Sequence, residues 1–203
     1  MEEQKKMKET ENRKETDRVQ TKNQKRARSI GSYIAKVAMM AALSFALSFL
    51  EFPLFPAAPF LKLDFSSVVP LIGGFALGPV AGVVICLIKE ALCVIKSSTG
   101  GVGEIANFII ITIFIIVPTI AYKYRRKFST VLMTLPIGCV LQVGVSLLAN
   151  RYVNFPLFMG SAAAGAFASL WGYVLAFNAI KSVAISVVCL LLYKKVGWLL
   201  RRF

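Results

Sequence analysis

The chain has 203 residues, 57% of them apolar, with 24 Lys and Arg against 10 Asp and Glu and a net charge of +14. That apolar share lies above the ordinary soluble range, where about half the residues are apolar, and the absence of histidine excludes a Cys/His metal site. The charge alone would suit a nucleic-acid binder, but its placement along the chain speaks against that reading.

Residues 1–28 carry mixed charges and almost no apolar content, which predicts a disordered tail ahead of a membrane domain at 29–203. The segment is too long and polar for a signal peptide, and no small-residue cleavage site follows Ile30. The apolar residues then come in runs long enough to cross about 30 Å of hydrocarbon as helix. Six spans are predicted, at 30–50, 65–78, 80–96, 104–122, 129–149 and 173–193. The first carries Ala38, Ala42 and Ala46 at i, i+4 spacing, a flat stripe that another helix can approach closely, either within the bundle or from a different subunit.

Between the first two spans lies Phe52-Pro-Leu-Phe-Pro-Ala-Ala-Pro-Phe-Leu-Lys-Leu-Asp-Phe-Ser66. Pro53, Pro56 and Pro59 each fix φ and bias the residue before them to extended geometry, so this loop is expected to be an ordered lid at the mouth of the bundle. The plainer reading is a hydrophobic connector in the headgroup region. The second span is short, and Gly78-Pro79 divides it from the third, predicting a re-entrant or tilted hairpin whose freed backbone neighbouring helices satisfy.

Thr99-Gly-Gly-Val-Gly103 lets backbone approach a ligand or another loop closely, or forms a plain turn; it is no phosphate loop, since no G-x-x-x-x-G-K-[ST] occurs. The segment 151–172 is expected to hold an interfacial helix across the mouth, with Trp171 and Tyr173 in the aromatic belt. Cys86, Cys93, Cys139 and Cys189 all fall in predicted spans without a spacing motif and read as small hydrophobes. No internal repeat supports an inverted-repeat transporter.

With six spans, Lys and Arg number eleven in residues 1–36, four in 123–127 and four in 194–202 on one side, against Lys62, Lys89, Lys96, Arg151 and Lys181 on the other. This is the positive-inside pattern with both termini cytoplasmic, and the excess charge reads as a signal for topology and anionic lipid. Outside the tail the only acids are Glu51, Asp64, Glu90 and Glu104, all on the outer half. A pore needs polar side chains through the full depth, whereas polarity here stops about halfway, as in a pocket open outward. Lys181 lies deep in the last span, where a lysine costs about 2.5–3.5 kcal/mol and needs a partner or a task. Asn178 precedes it by three residues on the same face; Glu104 and Asn107 repeat the arrangement on the fourth span. As helix glue, Lys181 would pair with Glu104 or snorkel outward.

The lid, the Gly73–Pro79 turn region, Gly101-Val-Gly-Glu104-Ile-Ala-Asn107-Phe and Asn178-x-x-Lys181 together resemble the riboflavin-binding S components of energy-coupling-factor (ECF) vitamin importers, over about residues 30–195. The resemblance implies an all-α membrane protein of six transmembrane helices in the bacterial plasma membrane, whose first outer loop caps a vitamin pocket. It implies that Asn178 and Lys181 contact polar groups of the flavin, helped by Asn150 or Asn154 and by the lid around Phe60, Lys62, Leu63 and Asp64, with Glu104 and Asn107 nearby. It also implies that Ala38, Ala42 and Ala46 dock a transmembrane T component, which two ATP-binding subunits energise. No cofactor, metal or nucleic acid is expected, and without histidine, a paired-carboxylate motif or a nucleotide loop the chain is not expected to be an enzyme. Competing readings are the same scaffold for another vitamin or for flavin mononucleotide (FMN), for which Lys62, Lys96 and Arg151 could form a basic mouth, a secondary transporter or channel, and a purely structural membrane protein.

Overall fold

A computed structural model of the chain describes the backbone of residues 2–97 and 100–200, and the side chains of 20–192 apart from 22, 25, 98 and 99. The side chains of residues 1–19 and of Lys194, Lys195, Arg201 and Arg202, and Thr99 of the glycine-rich turn, therefore lie outside the described residues. Residues 1–36 form one compact unit and 37–203 another.

Helix α1 runs Glu2–Leu47 and so includes the segment expected to be disordered. Glu2 and Lys6, and Glu9 and Arg13, stand four apart in the order that supports a helix, a pattern that low apolar content does not reveal. After the lid come α2 (Val68–Leu77) and α3 (Pro79–Cys93). The predicted break between them is real: Gly78 has φ +104°, which favours glycine, and Pro79 opens α3 where its missing N–H is harmless. At 10 and 15 residues, α2 and α3 measure only about 15 and 22 Å. Helix α4 (Val102–Tyr124) follows Gly101 at φ +93°, and α5 spans Phe128–Ala149. A π-helical turn at Asn150–Asn154, the short α6 (Phe155–Met159) and a 3-10 turn at Gly160–Ala162 lead into α7 (Ala163–Leu200). The interfacial helix expected within 151–172 is this broken segment.

Among the described residues, Arg26–Leu47, Val102–Tyr124 and the run Phe128–Leu192 are long and apolar enough to cross a membrane, and Val68–Leu77 is a shorter apolar helix. Five helices reach 15 residues (α1, α3, α4, α5 and α7), so α2 falls short of the span predicted for it. Its apolar run stops at the Gly78-Pro79 break.

α2, α4, α5 and α7 share an apolar core around Leu71, Phe114, Ile115, Leu135, Ile185 and Cys189. Gln142 on α5 is a buried polar exception, its amide without a hydrogen-bond partner among the described residues. Helices α2 and α3 meet at glycine: a Cβ on Gly82 would lie 2.9 Å from both Gly74 Cα and the Pro70 carbonyl oxygen. Backbone cannot yield as a flexible side chain can, so Gly82→Ala is expected to destabilise the protein by about 1–3 kcal/mol. A clear fall in the melting temperature of the detergent-solubilised protein would show it; an unchanged melting temperature would mean that the two helices have room to part.

Candidate functional site

The lid is a small hairpin. Strand β1 (Phe52–Pro53) pairs antiparallel with β2 (Lys62–Leu63), Phe52 opposite Leu63 and Pro53 opposite Lys62. Beyond them the Leu54 N–H donates to the Leu61 carbonyl at 3.2 Å, and the Leu61 N–H to the Ala58 carbonyl at 3.0 Å. This two-residue ladder, with Pro53 fixing φ on one side, is a local exception in a mostly helical chain. Alternation along β2 turns Lys62 outward and buries Leu63 among Ala58, Leu61, Phe155 and Phe177. Edge-to-face contacts, Phe60 on Phe155 (6.1 Å) and Phe55 on Tyr173 (5.5 Å), fasten the lid to α6 and α7.

Under the lid lies a cavity of about 410 Å³, walled by α3, α4, the π-helical turn, α6 and α7. Of the residues expected in the site, Phe60, Lys62, Asp64, Glu104, Asn107, Asn150, Asn178 and Lys181 line it, as does Asn154. Leu63 is not among the lining residues; its side chain belongs to the apolar packing under the lid, which leaves its backbone as the part that a ligand could meet.

A continuous polar network joins four elements at this cavity. Lys181 Nζ on α7 lies 3.5 Å from Asp64 Oδ2 beside the lid and 3.4 Å from Asn107 Oδ1 on α4. The Asn107 amide donates to Glu90 on α3, which also accepts from Lys89 Nζ at 2.7 Å. Asp64 Oδ1 accepts from both the backbone N–H (2.8 Å) and the hydroxyl of Ser66. Lys181 is therefore held by Asp64 and Asn107, not by Glu104, whose carboxylate accepts from Ser97 Oγ at 2.8 Å. Burial pushes the Asp64 carboxyl up, but the nearby ammonium groups of Lys181 and then Lys89, with the Ser66 hydrogen bonds, outweigh it and hold the group well below the usual carboxylate range.

The contacts of Lys181 are long for hydrogen bonds, which run about 2.7–3.2 Å, and the residue is only 4% exposed. It is positioned without being saturated, with donor capacity left for a guest. One N–H of Asn178 donates to the Val174 carbonyl at 2.9 Å, and the amide keeps an acceptor and a second donor. Lys89 and Glu90 were missing from the expected set. The signal was available: two adjacent opposite charges inside an apolar run mark an intramembrane site.

At the mouth, Glu51 Oε1 pairs with Lys62 at 2.8 Å and Glu51 Oε2 with Lys96 at 3.6 Å. Counting rim and interior together, Glu51, Asp64, Glu90 and Glu104 face Lys62, Lys89, Lys96 and Lys181, four carboxylates to four ammonium groups among the described lining residues. Phe60, Phe155, Phe158 and Phe177 add aromatic surface. Such a cavity can hold a flat, largely apolar molecule with several neutral hydrogen-bonding groups.

On α1, Val37, Ala41 and Ser44 are buried, as is Ser48 just beyond it, with Ser44 Oγ donating to the Ser66 carbonyl at 2.8 Å. Ala38, Ala42 and Ala46 are exposed, so the small-residue stripe is open among the described residues.

The family model for the substrate-specific component of ECF transporters matches residues 32–193. The chain belongs to this family. This S component is 32% identical over 171 residues to the riboflavin transporter RibU of Staphylococcus aureus, covering 82% of this chain and 90% of that one. It is also 32% identical over 169 residues to the riboflavin transporter FmnP of Bacillus subtilis, covering 78% and 88%. A solved S component of a bacterial ECF transporter superposes with a TM-score of 0.74 at 31% identity, covering 84% of this chain and 98% of that one. The S component is accordingly a multi-pass membrane protein and a transport subunit rather than an enzyme, and its family implies no cofactor.

Proposed function

We propose that this S component binds riboflavin in the lidded cavity and delivers it to an ECF transporter. The observation that carries the reading is the balance of charge in a cavity of vitamin size: four lining carboxylates against four ammonium groups, with aromatic walls and four asparagines, Asn107, Asn150, Asn154 and Asn178. Riboflavin is neutral, with a flat ring, an imide edge that alternates donors and acceptors, and a polyhydroxyl tail. It needs stacking surface and mixed hydrogen bonding rather than a strong opposite charge, and the relatives called riboflavin transporters support the assignment.

In this reading Lys181 and Asn178 meet the polar groups of the flavin, with Asp64, Asn107, Asn150 and the lid around Phe60 and Lys62 completing the contacts. The chain crosses the membrane six times with both termini inside, α2 and α3 forming a short hairpin pair, and the lid faces outward. The positive-inside distribution of Lys and Arg supports that orientation, and Lys123–Lys127 sits at anionic headgroups. The exposed alanines of α1 dock a T component, and two ATP-binding subunits supply the energy that this chain has no nucleotide loop to harvest.

The test is direct. The protein purified from a riboflavin-supplied host should be yellow and release fluorescent flavin on denaturation, and the emptied protein should titrate with riboflavin near one to one by calorimetry. Colourless protein that gives no heat with riboflavin would reject the assignment.

A further inference from the structure

We propose that Glu51 is a specificity-determining residue that makes the mouth of this cavity favour uncharged flavin over its phosphate monoester, FMN. The inference rests on the riboflavin reading above.

Two lysines from different elements, Lys62 on β2 and Lys96 just beyond α3, converge at the rim on the two oxygens of one carboxylate, Glu51. Lys96 is also held from behind: its ammonium donates to the Ser48 carbonyl and lies 4.7 Å from the centre of the Phe49 ring. The lysines by themselves would make a phosphate seat, since an ester phosphate carries about −1.5 to −2 charges at pH 7 and draws strength from paired cations. Glu51 occupies the place between them. It pairs with both ammonium groups and presents its own negative charge to any anion that enters.

The interior offers no uncompensated positive charge. Lys89 is paired with Glu90 and Lys181 with Asp64, each ammonium already facing a carboxylate. Glu51 completes the balance of the lining; without it, the count becomes three carboxylates to four ammonium groups and both rim lysines lose their carboxylate. A neutral polyol tail meets no such conflict, because it can donate to Glu51 and accept from Lys62 or Lys96.

The experiment compares dissociation constants for riboflavin and FMN by quenching of flavin fluorescence, in the wild type, in Glu51→Gln, and in Glu51→Gln combined with Lys62→Gln and Lys96→Gln. The wild type should bind riboflavin more tightly. In Glu51→Gln the ratio of the FMN constant to the riboflavin constant should fall by about tenfold, the scale of one charge contact in partly aqueous surroundings. The fall should shrink at high salt and vanish in the combined variant, where no ammonium remains at the rim to be exposed. Glu51→Ala, which also removes the carboxylate, should repeat the fall and serves if the glutamine variant does not purify. If the carboxylate-free variants bind riboflavin with an unmoved ratio, or the combined variant keeps the gain, the role given to Glu51 is overturned while the riboflavin assignment stands. A wild type that binds neither flavin overturns the assignment itself.

Discussion

Lys181→Met is expected to weaken riboflavin binding by about 100-fold, the scale of losing hydrogen bonds made by a charged donor. The same change leaves Asp64 buried opposite no partner on α7, and breaking a buried pair on one side costs about 3–5 kcal/mol. Lost affinity could then reflect a weakened bundle. The double variant Lys181→Met with Asp64→Asn separates the two effects, because the uncompensated carboxylate is gone as well. Its melting temperature without ligand should recover most of the loss, while its riboflavin affinity should stay low. Calorimetry and thermal denaturation on the three purified proteins give both readouts. A double variant that regains wild-type affinity would show that Lys181 serves packing and Asp64, and would remove it from the binding set.

Ala42→Trp is expected to abolish uptake and co-purification with a T component while leaving riboflavin affinity within about twofold. Ala42 is exposed on α1, whereas Val37, Ala41 and Ser44, which tie this stretch to the rest of 37–203, are buried on the other side. An indole on the open stripe therefore need not disturb the cavity, but it fills the space that close helix approach requires. Lost interface packing of this kind costs about 2 kcal/mol or more, a thirtyfold drop or greater in association. Pull-down of the T component and vitamin uptake in whole cells measure the loss; undiminished co-purification would show that the T component docks elsewhere.

Much of the architecture was legible in the residues because membranes impose local rules. Apolar runs marked each long helix, since an exposed peptide group in hydrocarbon is intolerable and span length follows from bilayer thickness. Gly78-Pro79 announced its break through two residues with unusual backbone demands, and the three lid prolines announced an ordered loop. Lys181 and Asn178 stood out for the same reason, being polar groups in an otherwise apolar run. Lys89 and Glu90 are polar groups in an apolar run by the same rule, and in the sequence they served only to fix topology and depth. The helical course of α1 through the charged tail was masked, because low apolar content says nothing of charges spaced four apart.

What belonged to the chain by itself, then, was where a charge sits in depth and which stretches are helical, because each follows from neighbours a few positions away. What the tertiary structure alone decided was who faces whom: Asp64 and not Glu104 beside Lys181 across 117 positions of chain, Glu51 drawing Lys62 and Lys96 together, Leu63 buried beneath the lid, and the alanines of α1 turned outward. Those relations depend on the rotation and register of helices against one another, which many distant contacts set jointly and no short stretch encodes.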